Sequence, residues 1–319
     1  MELYLGIDIG GTNIAVGIVN ELGELLYKDS VKTLAPRPAE GICRDTADLC
    51  RKVLADFGVG IDQISAVGAG CPGVIWKGVV HRATNLKFRD APVADLIGRE
   101  LGRPVVLVND ADAAAYGEFA VGWDRKPDPF VMITIGTGIG GGIILDGKIR
   151  AGHNGAGGEI GHTVINSTGR KCPCGRVGCL ERYCSASALE RDIKKVMKSH
   201  PESVLWKYAP DRSTAHVETL FQAAAEQDET AVKLLDRYIG NLAVGIKNIT
   251  ALLQPELLCV GGGVSNAGDA LISPLSRRVD GMSRREGERH RTNIRAAKLR
   301  SDAGIIGAAL WSRHSGGII

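Results

Sequence analysis

Three cysteines and one histidine in the middle of the chain form a typical set of zinc ligands. Cys172, Cys174 and Cys179 lie within eight residues of one another, and His162 precedes the first of them by ten residues. Cys3His is a standard tetrahedral zinc set, and short cysteine spacings are typical of structural sites. From these residues alone two interpretations remain open: a zinc staple without chemistry, or a staple that positions an active site.

Two carboxylates flank the predicted zinc site. Glu159 precedes His162 by three residues, and Glu181 follows Cys179 by two residues. A metal ion that fixes its ligands also fixes the neighbouring side chains, so we expect both carboxylates to lie beside the zinc. Carboxylate groups suit the binding of a polyol, because each can contact two hydroxyl groups.

Three glycine-rich turns, at residues 10–13, 136–142 and 261–263, each follow an apolar run that predicts a buried strand. In such turns the backbone N–H groups can approach phosphate oxygens closely, since no Cβ intervenes. A single turn of this kind is often only structural. Three turns, two of them in a repeated strand–turn–strand frame, favour a nucleotide held between two lobes.

The turns also contain candidate ligands for the nucleotide. Thr12 and Thr137 are predicted to bind the β- and γ-phosphates through their hydroxyl and amide groups. Asp8 ends the first predicted strand and is expected to hold Mg²⁺, usually through water; the alternative for Asp8 is a cap or turn residue. The predicted cofactor-binding residues are Asp8, Gly10, Gly11, Thr12, Asn13, Thr137, Gly138, Gly262 and Gly263.

The middle turn also contains the spacing G-x-G-x-x-G, at Gly136, Gly138 and Gly141. The dinucleotide fingerprint requires a helix directly after this turn. Residues 143–149 instead predict a β-hairpin with a turn at Asp146-Gly147. The sequence therefore argues against an NAD-dependent oxidoreductase.

Composition limits the classes of protein that the chain could belong to. A net charge of +3 over 319 residues is too small to indicate nucleic-acid binding. The segment Arg277–Arg300 carries nine Lys and Arg against three Asp and Glu, which a solvated helix face or a subunit contact explains better than DNA binding.

No apolar run reaches the ~18 residues of a membrane span, and the N-terminus does not resemble a signal peptide. The remaining five cysteines are scattered along the chain, which fits reduced thiols better than a disulfide framework. We therefore expect a soluble, cytoplasmic protein with no nucleic-acid or membrane partner.

Hydrophobic periodicity predicts alternating strands and helices, and therefore an α/β protein. The predicted strands are 3–8, 14–19, 24–31, 66–70, 105–108, 131–135, 143–145 and 257–260. The predicted helices are 40–57, 93–101, 111–120, 187–198, 229–253 and 303–311. A capping box is predicted at Ser187–Glu190. The start of the chain recurs at residue 131, as a weak internal repeat.

Together these motifs resemble the ROK family of sugar kinases and repressors, within the actin-like ATPase superfamily. The matching segments are Leu5-Gly-Ile-Asp8-Ile-Gly-Gly-Thr12, Gly70-Cys-Pro-Gly73, Asn109-Asp110-Ala111, Ile135-Gly-Thr137-Gly-Ile-Gly, Glu159-Ile-Gly-His162, Cys172-Pro-Cys174-Gly, Gly178-Cys179-Leu-Glu181 and Gly261-Gly-Gly263. They span nearly the whole chain in the order that the family has them. The Glu-x-x-His and Cys-x-Cys-x4-Cys motifs are highly specific, whereas the glycine turns alone are not.

The resemblance implies an α/β, two-lobed actin-like ATPase (ribonuclease H-like) fold with an inserted zinc-binding module. It implies a cleft with ATP between the glycine turns and a sugar beside the zinc module. A small N-terminal lobe is expected at residues 1–118, completed by the C-terminal helix 303–319. A large lobe is expected at residues 119–302, with the zinc module at about 157–184. A homodimer or homotetramer is expected.

The resemblance also implies roles for individual residues. Asp110 is the expected general base, which accepts the proton of a sugar hydroxyl during phosphoryl transfer; an acid at a helix N-terminus is also favourable by itself. The expected sugar-binding residues are Asn85, Asn109, Asp110, Glu159, His162 and Glu181. The expected zinc ligands are His162, Cys172, Cys174 and Cys179. The implied cofactors are ATP, Mg²⁺ and a structural Zn²⁺.

Two positions depart from the family pattern. Asp112 stands where the family often has Asn, which adds a negative charge near the base. Lys87-Phe88 replaces a tryptophan that is frequent in glucokinases, which leaves the identity of the sugar more open. We predict an ATP-dependent kinase that phosphorylates the 6-hydroxyl of glucose. The alternatives are a kinase for N-acetylmannosamine, N-acetylglucosamine, fructose or allose, or a sugar-responsive repressor, although family repressors carry an added N-terminal helix-turn-helix.

Overall fold

The computed structural model of the chain describes residues 1–282 and 291–314. Residues 283–290, in the middle of the basic segment Arg277–Arg300, lie outside the described residues. The prediction that this segment is a solvated helix face or a subunit contact therefore stays a prediction. Residues 315–319, the end of the predicted C-terminal helix, also lie outside the described residues.

The chain divides into two compact units. The first comprises Met1–Asp128, Gly142–Gly158 and Lys298–Ile319. The second comprises Pro129–Gly141 and Glu159–Ala297. The sequence-based lobes, 1–118 with 303–319 and 119–302, remain a prediction.

Strands and helices alternate along the chain, as predicted for an α/β protein. The strands are β1 (Leu3–Ile9), β2 (Asn13–Asn20), β3 (Leu25–Lys32), β4 (Ile64–Cys71), β5 (Val74–Trp76), β6 (Val79–Ala83), β7 (Phe88–Ala91), β8 (Val105–Asn109), β9 (Phe130–Ile135), β10 (Ile139–Leu145), β11 (Lys148–Ile149), β12 (Leu257–Gly261) and β13 (Asn293–Ala296). The helices are α1 (Ala39–Phe57), α2 (Val93–Leu101), α3 (Asp110–Gly117), α4 (Glu181–Cys184), α5 (Ala186–Ser199), α6 (Leu205–Tyr208), α7 (Val217–Ala225), α8 (Glu229–Leu253), α9 (Asp269–Gly281) and α10 (Ala303–Trp311). None of the helices in the described ranges is long and apolar enough to cross a membrane.

Two five-stranded sheets have the same strand order. The first runs β3-β2-β1-β4-β8, with β1, β2 and β3 antiparallel and with β4 and β8 parallel to β1. The second runs β11-β10-β9-β12-β13, with β9, β12 and β13 parallel. The repeat predicted from the two glycine turns is thus present as a repeat of sheet topology. A third, antiparallel sheet of β5, β6 and β7 has no counterpart among the sequence-based predictions, because its strands are only three to five residues long.

Helix α10 packs so closely on the first sheet that glycine is required beneath it. All nine residues of α10 are buried. A Cβ atom at Gly6 of β1 would lie 2.1 Å from the carbonyl oxygen of Ile305, and one at Gly68 of β4 would lie 1.9 Å from that of Ala308. No real Cβ tolerates such distances, so the backbones approach only because these positions lack a side chain. The small-residue composition of α10 therefore reflects its place in the core of the first unit.

The end of α3 differs from the predicted helix 111–120. Helix α3 ends at Gly117, and a π-helical segment, Glu118–Gly122, follows it. Glu118 is fully buried, and its carboxylate accepts hydrogen bonds from the backbone N–H groups of Lys298 at 3.1 Å and Leu299 at 2.6 Å. These bonds fix the chain that leads into α10. They also help to explain why residues 119–128 and 298–302 belong to the first unit.

The middle glycine turn is shorter than predicted. Strand β10 begins at Ile139, so the turn spans only Gly136–Gly138 and the later glycines lie within the strand. A Cβ atom at Gly142 would lie 2.3 Å from the Cβ of Ala115 in α3. The glycine at position 142 therefore serves packing within the first unit rather than phosphate binding. A strand after the turn is the predicted outcome, and it argues against a dinucleotide fold.

The cap of α5 also differs from the prediction. The helix begins at Ala186, and its N-cap is Ser185, whose hydroxyl oxygen accepts the backbone N–H of Ala188 at 3.1 Å. Ser187 lies inside the first turn of the helix. The predicted capping box at Ser187–Glu190 is therefore wrong, because the helix starts earlier than its apolar periodicity indicates.

Candidate functional site

Two aspartates lie at neighbouring strand ends in the first unit. Asp8 lies near the end of β1, and Asp110 is the first residue of α3, directly after β8. Parallel strands β1, β4 and β8 end at one edge of the sheet, which brings the two carboxylates together. Burial and the negative charge of Asp110 raise the pKa of Asp8 to about 7. Such a group readily binds a proton or a cation at neutral pH, so its chemistry fits the predicted Mg²⁺ role.

Asn109 holds the start of α3 in place. Its Oδ1 accepts hydrogen bonds from the N–H groups of Ala111 at 2.8 Å and Asp112 at 3.2 Å, and its Nδ2 donates to the carbonyl oxygen of Gly73 at 3.0 Å. Asp110 also accepts from the N–H of Ala111, at 2.9 Å. These bonds orient the predicted base. The role of Asn109 as a sugar ligand stays a prediction, and its observed contacts are those of a helix cap.

The first glycine turn and Asn85 lie beside each other in the first unit. The N–H of Gly10 donates to the carbonyl oxygen of Asn13 at 2.9 Å, which closes the turn. Thr12 is exposed, as a phosphate ligand has to be. A Cβ atom at Gly11 would lie 3.4 Å from the Cβ of Asn85, in the connection between β6 and β7. A cavity of about 560 Å³ adjoins the turn, and its walls include Asp8 and Thr12.

The second and third glycine turns adjoin each other in the second unit. Gly262 has a φ of +80°, and a Cβ atom there would lie 2.4 Å from the carbonyl oxygen of Ile135, the residue before the turn Gly136–Gly138. The two turns follow the parallel neighbours β9 and β12, so both emerge at one sheet edge. Thr137 and Gly263 are exposed there. Two of the three segments predicted to bind the nucleotide are thus neighbours.

The four predicted zinc ligands lie together in the second unit. Their ligand atoms are all within 4.8 Å of one another. The sulfurs of Cys174 and Cys179 are 3.6 Å apart, and the sulfur of Cys172 is 3.7 Å from Nδ1 of His162. A tetrahedral zinc ion with Zn–S of about 2.3 Å and Zn–N of about 2.0 Å requires S···S and S···N separations of roughly 3.5–3.8 Å. The donor set and these two separations fit zinc.

Neighbouring groups shift the pKa values of two of the thiols in opposite directions. The backbone N–H of Arg176 lowers the pKa of the Cys174 thiol. Burial, together with the neighbouring thiols, raises the pKa of Cys179 to about 12. Three thiolates so close together require a cation, because their negative charges repel one another. Glycine turns bring the sulfurs together: Gly175 and Gly178 have φ values of +94° and +83°.

His162 uses its two ring nitrogens in different directions. Its Nδ1 faces the cysteines, whereas its Nε2 lies 3.9 Å from Oε2 of Glu159. Glu159 is exposed, with 47% of its side chain accessible. One ring nitrogen therefore lies among the cysteines and the other lies beside a carboxylate. Both sequence-based roles of His162 are compatible with this arrangement.

An ion cluster that the sequence does not indicate anchors the zinc module. Asp192 of α5 accepts two hydrogen bonds from Arg170, at 2.8 and 3.0 Å. Arg191 and Arg237 lie 3.4 and 3.8 Å from the same carboxylate. The Asp192 side chain is only 11% exposed, so its charges are weakly screened. Arg170 and Asp192 are 22 residues apart, and no local motif signals their contact.

The comparisons with known proteins agree on one family. The family model described as "ROK family" matches residues 4–315. The chain is 35% identical to a glucokinase of Thermotoga maritima, over 96% of this chain and 95% of that protein. It is 32% identical to an N-acetylmannosamine kinase of Yersinia pestis, over 98% of each. Among solved structures it resembles a ROK family glucokinase of Streptomyces griseus in complex with glucose and AMPPNP, with a TM-score of 0.84, 34% identity and coverage of 98% and 99%.

Proposed function

This chain belongs to the ROK family and is an ATP-dependent sugar kinase, and we propose that its substrate is glucose, phosphorylated at the 6-hydroxyl group. The observation that carries the proposal is the likeness, over nearly the whole of both chains, to the glucokinase that binds glucose and AMPPNP. Asp110, at the start of α3, supplies the base that such a reaction needs. The folding pattern that the resemblance implies, an actin-like fold, is supported by the repeated strand order of the two sheets.

In the proposed reaction Asp110 accepts the proton of the 6-hydroxyl as its oxygen attacks the γ-phosphorus of ATP. The new O–P bond forms while the bond between the γ-phosphorus and the β–γ bridging oxygen breaks, and ADP leaves with the electron pair. General-base catalysis of this kind contributes about 10²- to 10⁴-fold. Charge neutralisation and in-line positioning must supply the remaining acceleration.

We assign the phosphates to the glycine turns. In the first unit, residues 10–13 present backbone N–H groups and the hydroxyl of Thr12, and Asp8 would hold Mg²⁺ through water. When bound, Mg²⁺ neutralises phosphate charge. In the second unit, Thr137, Gly138, Gly262 and Gly263 are the residues assigned to nucleotide binding.

We assign the sugar hydroxyls to polar side chains that lie near these turns or near the zinc ligands. They are Asn85, Asn109, Asp110, Glu159, His162 and Glu181. Zinc, bound by His162 and the three cysteines, supplies structure and no open position for a reactant, since four protein ligands complete its tetrahedron. The ring of His162 is then held with Nε2 available as a donor to a hydroxyl.

A second candidate substrate is N-acetylmannosamine, because a kinase for that sugar is 32% identical over 98% of the chain. The two candidates differ at the 2-position, so one assay separates them. ADP release is measured with a coupled enzyme system across glucose, N-acetylmannosamine, N-acetylglucosamine, fructose and allose. We expect the highest kcat/KM with glucose. A higher kcat/KM with N-acetylmannosamine would identify that sugar, and not glucose, as the substrate. The absence of ADP release with every one of these sugars would refute the proposal.

A further inference from the structure

Glu181 lies directly against the middle glycine turn. Its Oε2 accepts a hydrogen bond from the backbone N–H of Ile139 at 2.9 Å. A Cβ atom at Gly138 would lie 2.5 Å from the same oxygen. The residue at position 138 therefore has to be glycine for the carboxylate to reach the backbone. The contact joins two residues that are 42 positions apart in the sequence.

A second hydrogen bond ties the same segments together. The N–H of Ala186 donates to the carbonyl oxygen of Gly136 at 2.8 Å. The first residue of the turn and the residue after its last glycine are thus both bound by the short stretch 181–186. The turn itself has one internal hydrogen bond, from the N–H of Gly136 to the carbonyl oxygen of Gly138 at 2.9 Å. Its shape therefore depends on where the stretch 181–186 lies.

The zinc ligands determine where that stretch begins. Cys179 precedes Glu181 by two residues. Leu180, between them, is fully buried, and its N–H donates to the carbonyl oxygen of Thr163, the neighbour of His162, at 2.8 Å. The chain from the cysteine to the carboxylate therefore has little freedom. A displacement of the zinc ligands would move Glu181, and with it the turn.

We propose that Glu181 positions the turn that binds the phosphates of ATP, and that it couples nucleotide affinity to the zinc module and to bound sugar. The inference rests on the proposed function, which assigns the turn to ATP and Glu181 to the sugar. A sugar that contacts Glu181 would hold the carboxylate, and so the turn, in one geometry. Thermodynamic linkage then requires that sugar and ATP strengthen each other's binding by the same factor.

The competing interpretation is that Glu181 contacts only the sugar. The two interpretations differ in the affinity for AMPPNP measured by calorimetry in the absence of any sugar. Three variants separate them. Glu181→Ala removes the acceptor for the N–H of Ile139, and Glu181→Asp retains the charge but shortens its reach by one methylene group. Glu159→Ala is the matched control, because Glu159 is another candidate sugar carboxylate and its Oε2 lies 3.9 Å from Nε2 of His162, itself a predicted zinc ligand.

We expect Glu181→Ala to weaken AMPPNP binding about tenfold without sugar, as the loss of one hydrogen bond to a charged group would. Glu181→Asp should weaken it in the same direction, and Glu159→Ala should leave it unchanged. In the wild type, glucose should tighten AMPPNP binding, and Glu181→Ala should abolish this effect. Zinc content and circular dichroism on the same samples establish that each variant is folded and loaded.

Unchanged AMPPNP affinity in folded Glu181→Asp, with and without glucose, would overturn the proposal even if Glu181→Ala fails to fold. An equal loss in Glu159→Ala would also overturn it, since a general effect on the zinc module would then explain both. The proposed function fails on a different measurement, the absence of ADP release by the wild type with every sugar tested. AMPPNP affinity without sugar remains informative in that case.

Discussion

Asp110 begins helix α3 at the point where β8 ends, and its carboxylate is close enough to Asp8 to help raise the pKa of that residue to about 7. The sheet topology causes this proximity, because β1 and β8 are both parallel to β4, between them. We propose Asp110 as the base that takes the hydroxyl proton and Asp8 as the carboxylate that holds a cation. The first two predictions test these roles separately.

Replacing Asp110 with Asn should lower kcat by about 10²- to 10⁴-fold, because the amide cannot accept the hydroxyl proton. Sugar affinity should remain within a few fold of wild type, since Asn can still hydrogen-bond to a hydroxyl and to the N–H of Ala111. Steady-state kinetics and sugar calorimetry on the same preparation measure both quantities. A kcat near the wild-type value would show that another group is the base.

Asp8 should make the stability of the ligand-free protein depend on pH. Its folded pKa is about 7, whereas an unfolded Asp titrates near ~3.9. The folded state therefore binds the proton more tightly, so the stability that Asp8 contributes at low pH is lost as the pH rises from about 4 to about 7. Without added Mg²⁺, Asp8→Asn should be more thermostable than wild type at pH 8 and similar to it at pH 4.

Thermal unfolding at several pH values measures this difference. The midpoint should differ between the two proteins by ~2 °C or more at pH 8. A difference that is the same at pH 4 and pH 8 would mean that Asp8 does not titrate as described. Asp8→Asn should also lose most of its kinase activity, because the neutral amide holds Mg²⁺ poorly.

Cys174→Ala should remove zinc and weaken sugar binding. Three ligands hold zinc less tightly than four, and the free chain between His162 and Cys179 then loses its cross-link. The contact of Glu181 with Ile139 predicts that nucleotide binding weakens as well. Mass spectrometry for zinc and calorimetry for both ligands decide the outcome. Full activity in a zinc-free wild-type sample would refute a structural role for the metal.

Asp192→Ala should destabilise the protein by about 3 kcal/mol, because three arginines then lose their shared, mostly buried counter-charge. Asp48→Ala is a matched control, since Asp48 pairs with Arg51 at a site where 62% of its side chain is exposed. That change should alter stability by less than about 0.5 kcal/mol. Urea unfolding of both variants measures the difference. Equal effects would mean that the cluster around Asp192 contributes no more than a surface ion pair.

Two glycine substitutions should have opposite effects. A Cβ atom at Gly307 of α10 would lie 1.7 Å from the carbonyl oxygen of Ala113, whereas one at Gly240 of α8 meets nothing within 4 Å. Gly307→Ala should therefore prevent α10 from packing and lower the yield of folded protein. Gly240→Ala should stabilise the protein by about 0.5–1 kcal/mol, because alanine loses less backbone entropy in a helix. Comparable stability of the two variants would contradict the close approach of α10 and α3.

The sequence by itself determined the features that depend on neighbours along the chain. Helices α2, α8 and α10 begin and end at the predicted residues, because apolar periodicity and terminating residues such as Gly102 and Pro255 are local signals. The sequence also predicts a strand, and not a helix, after the turn Gly136–Gly138, since residues 143–149 have the pattern of a β-hairpin. The closely spaced cysteines and His162 likewise come together as their spacing predicts.

Only the tertiary structure decided which distant residues meet. The contact of Glu181 with Ile139, and the contacts of Asp192 with Arg170 and Arg237, join segments that lie far apart along the chain and that no local motif links. The pKa of Asp8 depends on a strand order that places β1 and β8 on either side of β4. Local periodicity specifies which face of an element is buried, but not which element covers it, because many packing partners bury the same apolar surface equally well. Hydrogen bonds and ion pairs discriminate between these packing partners, because they form only when donor and acceptor atoms lie about 3 Å apart. Residues distant in the sequence reach that separation only in the folded chain.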